Sequence, residues 1–205
     1  MSHSNHIPAK KNPFKKEKLP DLPTVDFIAA KEIDFTIHST AQKVKFGDHE
    51  FLQCREGYIL SYITGYANEK LQKYYYGVFY GLNHPLNSYG NVNGLTKMDH
   101  LNQFAALRVL ETFPNIENKK LCICTDSNIT MRMLNHMETY YENGFRSVRN
   151  GEFLQNKATY EAVNKVMRLR NDLELRVLHT TKVCGQMTQA LSFVRSAIRA
   201  SRYDD

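Results

Sequence analysis

Apolar and polar positions follow two periods along this chain, and both become regular from Gly57 onward. Residues 58–64 (Tyr-Ile-Leu-Ser-Tyr-Ile-Thr) form a β-rich run, residues 65–70 supply turn formers, and residues 73–81 are again aromatic and β-rich. A hairpin of two long strands is predicted there. Between 83 and 94, Gly, Pro and Asn punctuate Leu86, Tyr89 and Val92, which suits a loop leading into a third strand and a turn. Leu101, Phe104, Ala105, Leu107 and Leu110 then recur at helical spacing until Pro114, predicting a helix over 97–113. Leu121-Cys122-Ile123-Cys124 is a short apolar run of the kind buried on both faces in a parallel strand, and Ser127 is placed to cap the next helix. Met131, Leu134, Met137 and Tyr141 make that helix amphipathic until Asn143-Gly144 ends it. A helix over 157–169, a strand over 173–178 and a helix over 187–198 complete the order β-β-β-α-β-α-α-β-α, with no internal repeat.

The first 56 residues lack such periods. Residues 21–56 mix prolines, charges and short apolar clusters such as Asp34-Phe35-Thr36-Ile37, so they are expected to form an arm that packs on the domain, with room for one short strand. Residues 1–20 carry Lys10, Lys11, Lys15, Lys16 and Lys18 against Glu17, with Pro8, Pro13 and Pro20 between them. Little there can be buried, so a disordered basic tail is expected. It could touch phosphates, address the chain to the nucleus, or simply solubilise it. The remaining stretch, 57–202, is the expected domain, and 205 residues with 42% hydrophobic content suffice for one core.

A net charge of +6 permits a polyanionic partner without requiring one. Lys165, Arg168, Arg170, Arg176, Lys182, Arg195, Arg199 and Arg202 face Asp172 and Glu174 as the acids among them, a concentration more suggestive than the total. Cys54, Cys122, Cys124 and Cys184 form no C-x-x-C pair and read as core thiols in a reducing compartment. No stretch approaches the ~18 apolar residues of a membrane helix, so no membrane association is expected and the location is expected to be intracellular, nuclear or cytoplasmic.

Several local motifs fall in register with the predicted elements. Thr125-Asp126-Ser127 ends the buried strand; Gly77-Val78-Phe79-Tyr80-Gly81 is followed by His84-Pro85-Leu86-Asn87; Asn143-Gly144-Phe145 closes the second helix; Phe153-Leu154-Gln155-Asn156-Lys157 opens the next. Together with the element order, they make residues 57–200 resemble a ribonuclease H type 1 domain. The resemblance implies an α/β fold with a mixed five-stranded sheet and helices on both faces. It also implies a mechanism in which four acidic side chains hold two divalent ions against the RNA phosphate, hard Mg²⁺ preferring charged oxygen ligands.

Most of those acids are missing. The family's first aspartate aligns with Thr64, in Tyr62-Ile63-Thr64-Gly65, and no acid occurs between Gly57 and Asn68. The glutamate three residues before an Ala-Ala pair becomes Asn102, and a one-residue slip gives Gln103. Asp126 keeps the third position. The fourth belongs on the last helix, yet residues 175–203 contain no Asp or Glu. The family's mobile-loop histidine has no counterpart either, because His179 comes too early and Val183-Cys184-Gly185 stand at its place. Asp99, one turn before Asn102, is the acid that could substitute, with a solvated first-turn residue as the alternative. Asp126 itself is expected to accept backbone N–H bonds at the helix start.

Binding surfaces implied by the resemblance are partly kept. In the phosphate pocket Asn156 matches, while Leu95 and Lys97 stand for an arginine and a threonine. In the channel for the DNA strand Met137 and Tyr141 replace tryptophans, with Phe145 beyond. In the basic protrusion Tyr140-Tyr141-Glu142 replaces a lysine pair, and positive charge returns at Arg146, Arg149 and Lys157. The expected function is a catalytically inactive ribonuclease H-like module with no cofactor, binding an RNA:DNA hybrid or double-stranded RNA. A protein-interaction scaffold with a protein partner is the alternative, supported by Tyr74-Tyr75-Tyr76 and Tyr140-Tyr141 if they are exposed. An active ribonuclease with a rebuilt Mg²⁺ site is the third reading.

Overall fold

The longest strand, Tyr58–Asn68, β3, organises everything around it, because its two halves take different neighbours. The computed structural model describes residues 41–68, 72–92, 97–114, 120–147, 149–180 and 185–200. The tail 1–20, the first part of the arm, Leu95, Val183 and Cys184 lie outside the described residues. From Tyr62 to Asn68, β3 pairs antiparallel with β4 (Lys73–Phe79), which pairs in turn with β5 (Ser88–Asn91). From Tyr58 to Ile63 its other edge runs parallel to β6 (Lys120–Thr125), and β6 runs parallel to β7 (Glu174–His179). The order β5-β4-β3-β6-β7 is the mixed five-stranded sheet expected from the sequence.

Two further strands extend it to seven, a correction to the five-stranded reading. β1 (Gln42–Phe46) and β2 (His49–Gln53) come from the segment read as an arm, joined by Gly47-Asp48 with Gly47 at φ 58°. Such a two-residue turn needs positive φ, which glycine adopts without strain. β2 meets β3 at Gln53↔Ile59, past the point where β4 ends.

Alternation along β3 and β6 divides the core into two layers. Ile59, Ile63, Leu121 and Ile123 face α1 (Met98–Thr112), whereas Leu60, Tyr62, Cys122 and Cys124 face α5 (Gly185–Ala200) through Met187 and Ala190. Each fully buried side chain of this size contributes about 1.5–3 kcal/mol. Gly65 was expected in a turn but continues β3. A Cβ there would lie 2.9 Å from Leu101 Cβ and 3.1 Å from the Met98 carbonyl, so the glycine marks the close approach of α1 to the strand. Phe113 precedes Pro114 and turns extended (ψ 128°), which ends α1.

The single helix expected over 127–143 is broken at His136 (φ −120°, ψ 26°) into α2 (Asn128–Asn135) and α3 (Met137–Glu142). The change of direction lets α2 cover the β7 side while α3 packs on α4 (Lys157–Leu169). No straight helix reaches both.

His84 sits in the turn after β4, its Nδ1 accepting the Leu86 N–H at 3.1 Å and its ring 4.6 Å from Phe51 and 5.9 Å from His49 between centroids. Burial, and then the neighbouring His49, hold its pKa below 6.5. The unfolded chain therefore takes up a proton that the fold refuses, so stability is complete above pH 6.5 and declines as pH falls below it. The melting temperature should drop between neutral and mildly acidic buffer, and His84→Gln should flatten that slope. Equal slopes in the two proteins would remove His84 as the cause.

Candidate functional site

The parallel register ends with Ile63 beside Thr125, after which β3 leaves β6 to follow β4. The strands diverge at the carboxyl ends of the parallel pair, the place where α/β sheets bind ligands. Thr64 and Asp126 are the next residues after Ile63 and Thr125. Thr64 is buried, and its hydroxyl donates to the Gly65 carbonyl at 3.3 Å. Asn102 is 2% exposed; its Nδ2 reaches back to the Met98 carbonyl at 3.3 Å, and its Oδ1 is buried with no hydrogen bond among the described residues.

Gln103 does something else. Its Oε1 accepts from Asn156 Nδ2 at 3.0 Å and its Nε2 donates to the Tyr160 hydroxyl at 3.2 Å, tying α1 to the start of α4. Burial, with Tyr140 adding to it, pushes the Tyr160 hydroxyl up to about 12, so it stays protonated. Asp99 is committed too: one carboxylate oxygen accepts from Ser127 Oγ at 2.6 Å. Ser127 is the N-cap of α2, its Oγ accepting from the Thr130 N–H at 3.2 Å, so Asp99 braces the cap and ties α1 to α2. The capping oxygen is thus on Ser127, one residue beyond Asp126.

At the positions that the resemblance assigns to metal, the donors are one carboxylate (Asp126), one amide oxygen (Asn102) and one hydroxyl (Thr64), and α5 carries no acid. One negative charge against two dications is a poor match to ions that prefer several anionic oxygens. Among the described residues, no group of three or more His, Cys, Asp or Glu gathers in a metal-binding arrangement.

The sequence candidates for nucleic-acid contact fall around one structural unit. Gly144 (φ 60°) and Phe145 (φ 56°) end α3 and redirect the chain, Arg146 bridges Phe153, and Leu154 N–H donates to the Phe145 carbonyl at 3.0 Å. Phe153, which the sequence reading did not select as a contact residue, is 50% exposed at the centre of this unit. The Arg146 guanidinium lies 3.8 Å from its ring centroid and the Lys157 ammonium 4.3 Å. An exposed aromatic is therefore used to hold two cations in place. Arg146 is fixed further by donating to the Gly151 carbonyl at 3.0 Å, and Lys157 pairs with Glu161 at 3.2 Å. Lys97 joins the same edge by donating to Gln155 Oε1 at 2.6 Å, next to Asn156. Arg149 is exposed in the intervening turn. The pairing of residues 146 and 153 was the missing signal, since it is a tertiary contact across a loop.

Tyr141 is 48% exposed, but Arg168 lies 4.1 Å from its ring centroid and is held there by Glu138 at 2.8 and 2.9 Å. Stacking on Tyr141 requires Arg168 to move or the opposite face to be used. The C-terminal basic concentration also needs correction. Arg168 is paired with Glu138; Arg176 is bonded to Glu56; and Arg170 donates to the carbonyls of Leu110, Phe113 and Pro114, closing the end of α1. These three cations are internal fastenings, whereas Arg195 and Arg199 stay exposed on α5, and Lys182 and Arg202 lie outside the described residues. The tyrosine runs are mixed: Tyr75 is buried, Tyr76 packs on Phe104 and Tyr140 on Tyr160, while Tyr74 is partly buried and Tyr141 is exposed beneath Arg168. Among the described residues no helix is long and apolar enough to cross a membrane.

No protein-family model and no curated protein sequence matches this chain. Solved structures do. The chain is similar to the foamy viral protease-reverse transcriptase solved in complex with an RNA/DNA hybrid, at a TM-score of 0.53 and 15% identity over 90% of this chain, and it spans 21% of that protein. It is also similar to LC11-RNase H1, isolated from compost by a metagenomic approach, at a TM-score of 0.50 and 17% identity, covering 71% of this chain and 98% of that one. At such identities the likeness shows a shared fold, the ribonuclease H-like fold.

Proposed function

We propose that the chain is a non-catalytic ribonuclease H-like module that binds nucleic acid, an RNA:DNA hybrid or double-stranded RNA, along the edge formed by Lys97, Arg146, Arg149 and Lys157. The observation that carries this reading is the placement of Arg146 and Lys157 against the Phe153 ring, beside Lys97 on Gln155. Cations fixed before binding lose less side-chain freedom on meeting phosphates than free lysines do. They contact the backbone and so carry little sequence preference. The lysines of residues 1–20 would add to the same electrostatic attraction. Asp126, Asn102 and Thr64 together lack the charge that hydrolysis through two metal ions demands. The scaffold reading has less support from the tyrosine runs, because Tyr75, Tyr76 and Tyr140 pack on the core and Tyr141 is the exposed member.

Titration of the full chain with hybrid, double-stranded RNA and DNA across about 50–200 mM salt tests this. Binding should weaken steeply with salt, and Arg146→Gln with Lys157→Gln should lower the log–log slope by about 2, one for each phosphate left without its cation. Removing residues 1–20 should weaken all sequences alike. No binding at low salt, or an unchanged slope in the double variant, would reject the interface.

A further inference from the structure

Tyr66 and Asn68 continue the row of alternate β3 residues that begins with Tyr62 and Thr64, so they face α5, opposite Gly65 and α1. With Arg195, Ile198 and Arg199 of α5 they line a cavity of about 320 Å³. Its size falls at the lower end of small-molecule sites. Ile198 is buried, whereas Arg195 and Arg199 are exposed one turn apart on the same side of the helix. The Arg195 guanidinium lies over the Tyr66 ring at 5.6 Å from its centroid. Among the described residues neither arginine has a carboxylate partner, in contrast to Arg108, Arg168 and Arg176, each bound to a glutamate. Nor does α5 itself carry an acid. Two guanidinium groups without a carboxylate partner among the described residues, an amide and an aromatic ring thus border one concave space.

We infer that this cavity is a binding site for a phosphomonoester group. A phosphate monoester carries about −1.5 to −2 charge at neutral pH, which matches two guanidinium groups, whereas a backbone phosphodiester brings half of that. Guanidinium presents paired N–H donors suited to phosphate oxygens, and an aromatic ring beneath it fixes its plane. The phosphate can come from a free mononucleotide or from the 5′ end of a strand. The site lies on the opposite face of the sheet from α1, to which Lys97 and the Phe153 unit belong, so it is independent of the nucleic-acid edge proposed above.

Calorimetric titration of the full chain with AMP, with adenosine, and with one short oligonucleotide bearing either a 5′-phosphate or a 5′-hydroxyl tests the inference. At least one phosphorylated probe should bind saturably and more tightly than its unphosphorylated counterpart. Arg195→Gln and Arg199→Gln, exposed changes expected to leave the melting temperature in place, should each weaken that binding about tenfold, the worth of one charge-assisted hydrogen bond. The Arg146→Gln and Lys157→Gln pair should leave it unchanged. Binding by AMP alone, by the 5′-phosphorylated strand alone, or by both supports the site and identifies the source. No phosphate-dependent binding, or affinity indifferent to both arginine variants, overturns it whatever the hybrid titration gives.

Discussion

An RNA strand paired with DNA is expected to remain uncut by this protein in Mg²⁺ or Mn²⁺, even with protein in excess. Enzymes commonly accelerate reactions by 10⁶-fold or more, so the expected loss is essentially the whole of catalysis. Charge is the reason. Hydrolysis through two divalent ions needs anionic oxygens that offset them and hold the attacking and departing oxygens in line. Thr64 and Asn102 bring none, α5 brings none, and Asp99 is bound to the cap of α2. Asp126 stands with one negative charge. Denaturing electrophoresis of an end-labelled hybrid reads the outcome directly. Metal-dependent products that vanish in Asp126→Asn would show a working centre and sink the non-catalytic reading.

The largest stability effect is expected at Gly77, and it has no connection with chemistry. Gly77 pairs with Thr64 on one side and Tyr89 on the other, in the middle of the sheet. A Cβ built there would lie 2.1 Å from Val194 Cγ2, and Val194 is fully buried in α5. A β-branched side chain on a helix has little rotameric freedom, so the helix or the strand must shift. Gly77→Ala should cost about 1–3 kcal/mol, and each kilocalorie lowers the melting temperature by roughly 2–4 °C in a chain of this size. The Val194→Ala change opens the same space. The double variant should therefore cost less than the two single changes together, by about 0.5–3 kcal/mol, as expected of residues in contact. Strict additivity would place the strain elsewhere.

Much of the sheet and its helices was legible because burial imposes period. α1, α4 and α5 repeat their apolar residues at helical spacing and β3, β4 and β6 are apolar or aromatic runs, while Thr64 and Asn102, at the positions the resemblance assigns to metal, are read directly from the sequence. What escaped depends on partners distant in sequence. Gly65 looked like a turn because its neighbour across space, Leu101, is invisible in local composition. The β1–β2 hairpin is short and meets the rest at one register pair, so its alternation had little statistical weight. Arg170 counted toward a basic surface until its three carbonyl acceptors at the end of α1 were seen. Phe153 gained its role through Arg146 and Lys157, which approach its ring from opposite ends of a loop.

The same hairpin has a colloidal consequence. An outer strand with free N–H and C=O groups invites other chains to add to it, and proteins commonly defend such edges with lysine. Among the described residues β1 is an outer strand, and its exposed positions are Gln42, Lys43 and Lys45, while Val44 and Phe46 turn toward the core. A second copy of β1 brought alongside would set Lys45 near the Lys43 of its neighbour, which is paired with Glu50 at 2.6 Å. The added strands thus carry the sheet's boundary outward to a segment whose charge resists self-association, and the chain should tolerate high concentration better than one whose sheet ended at Ile59.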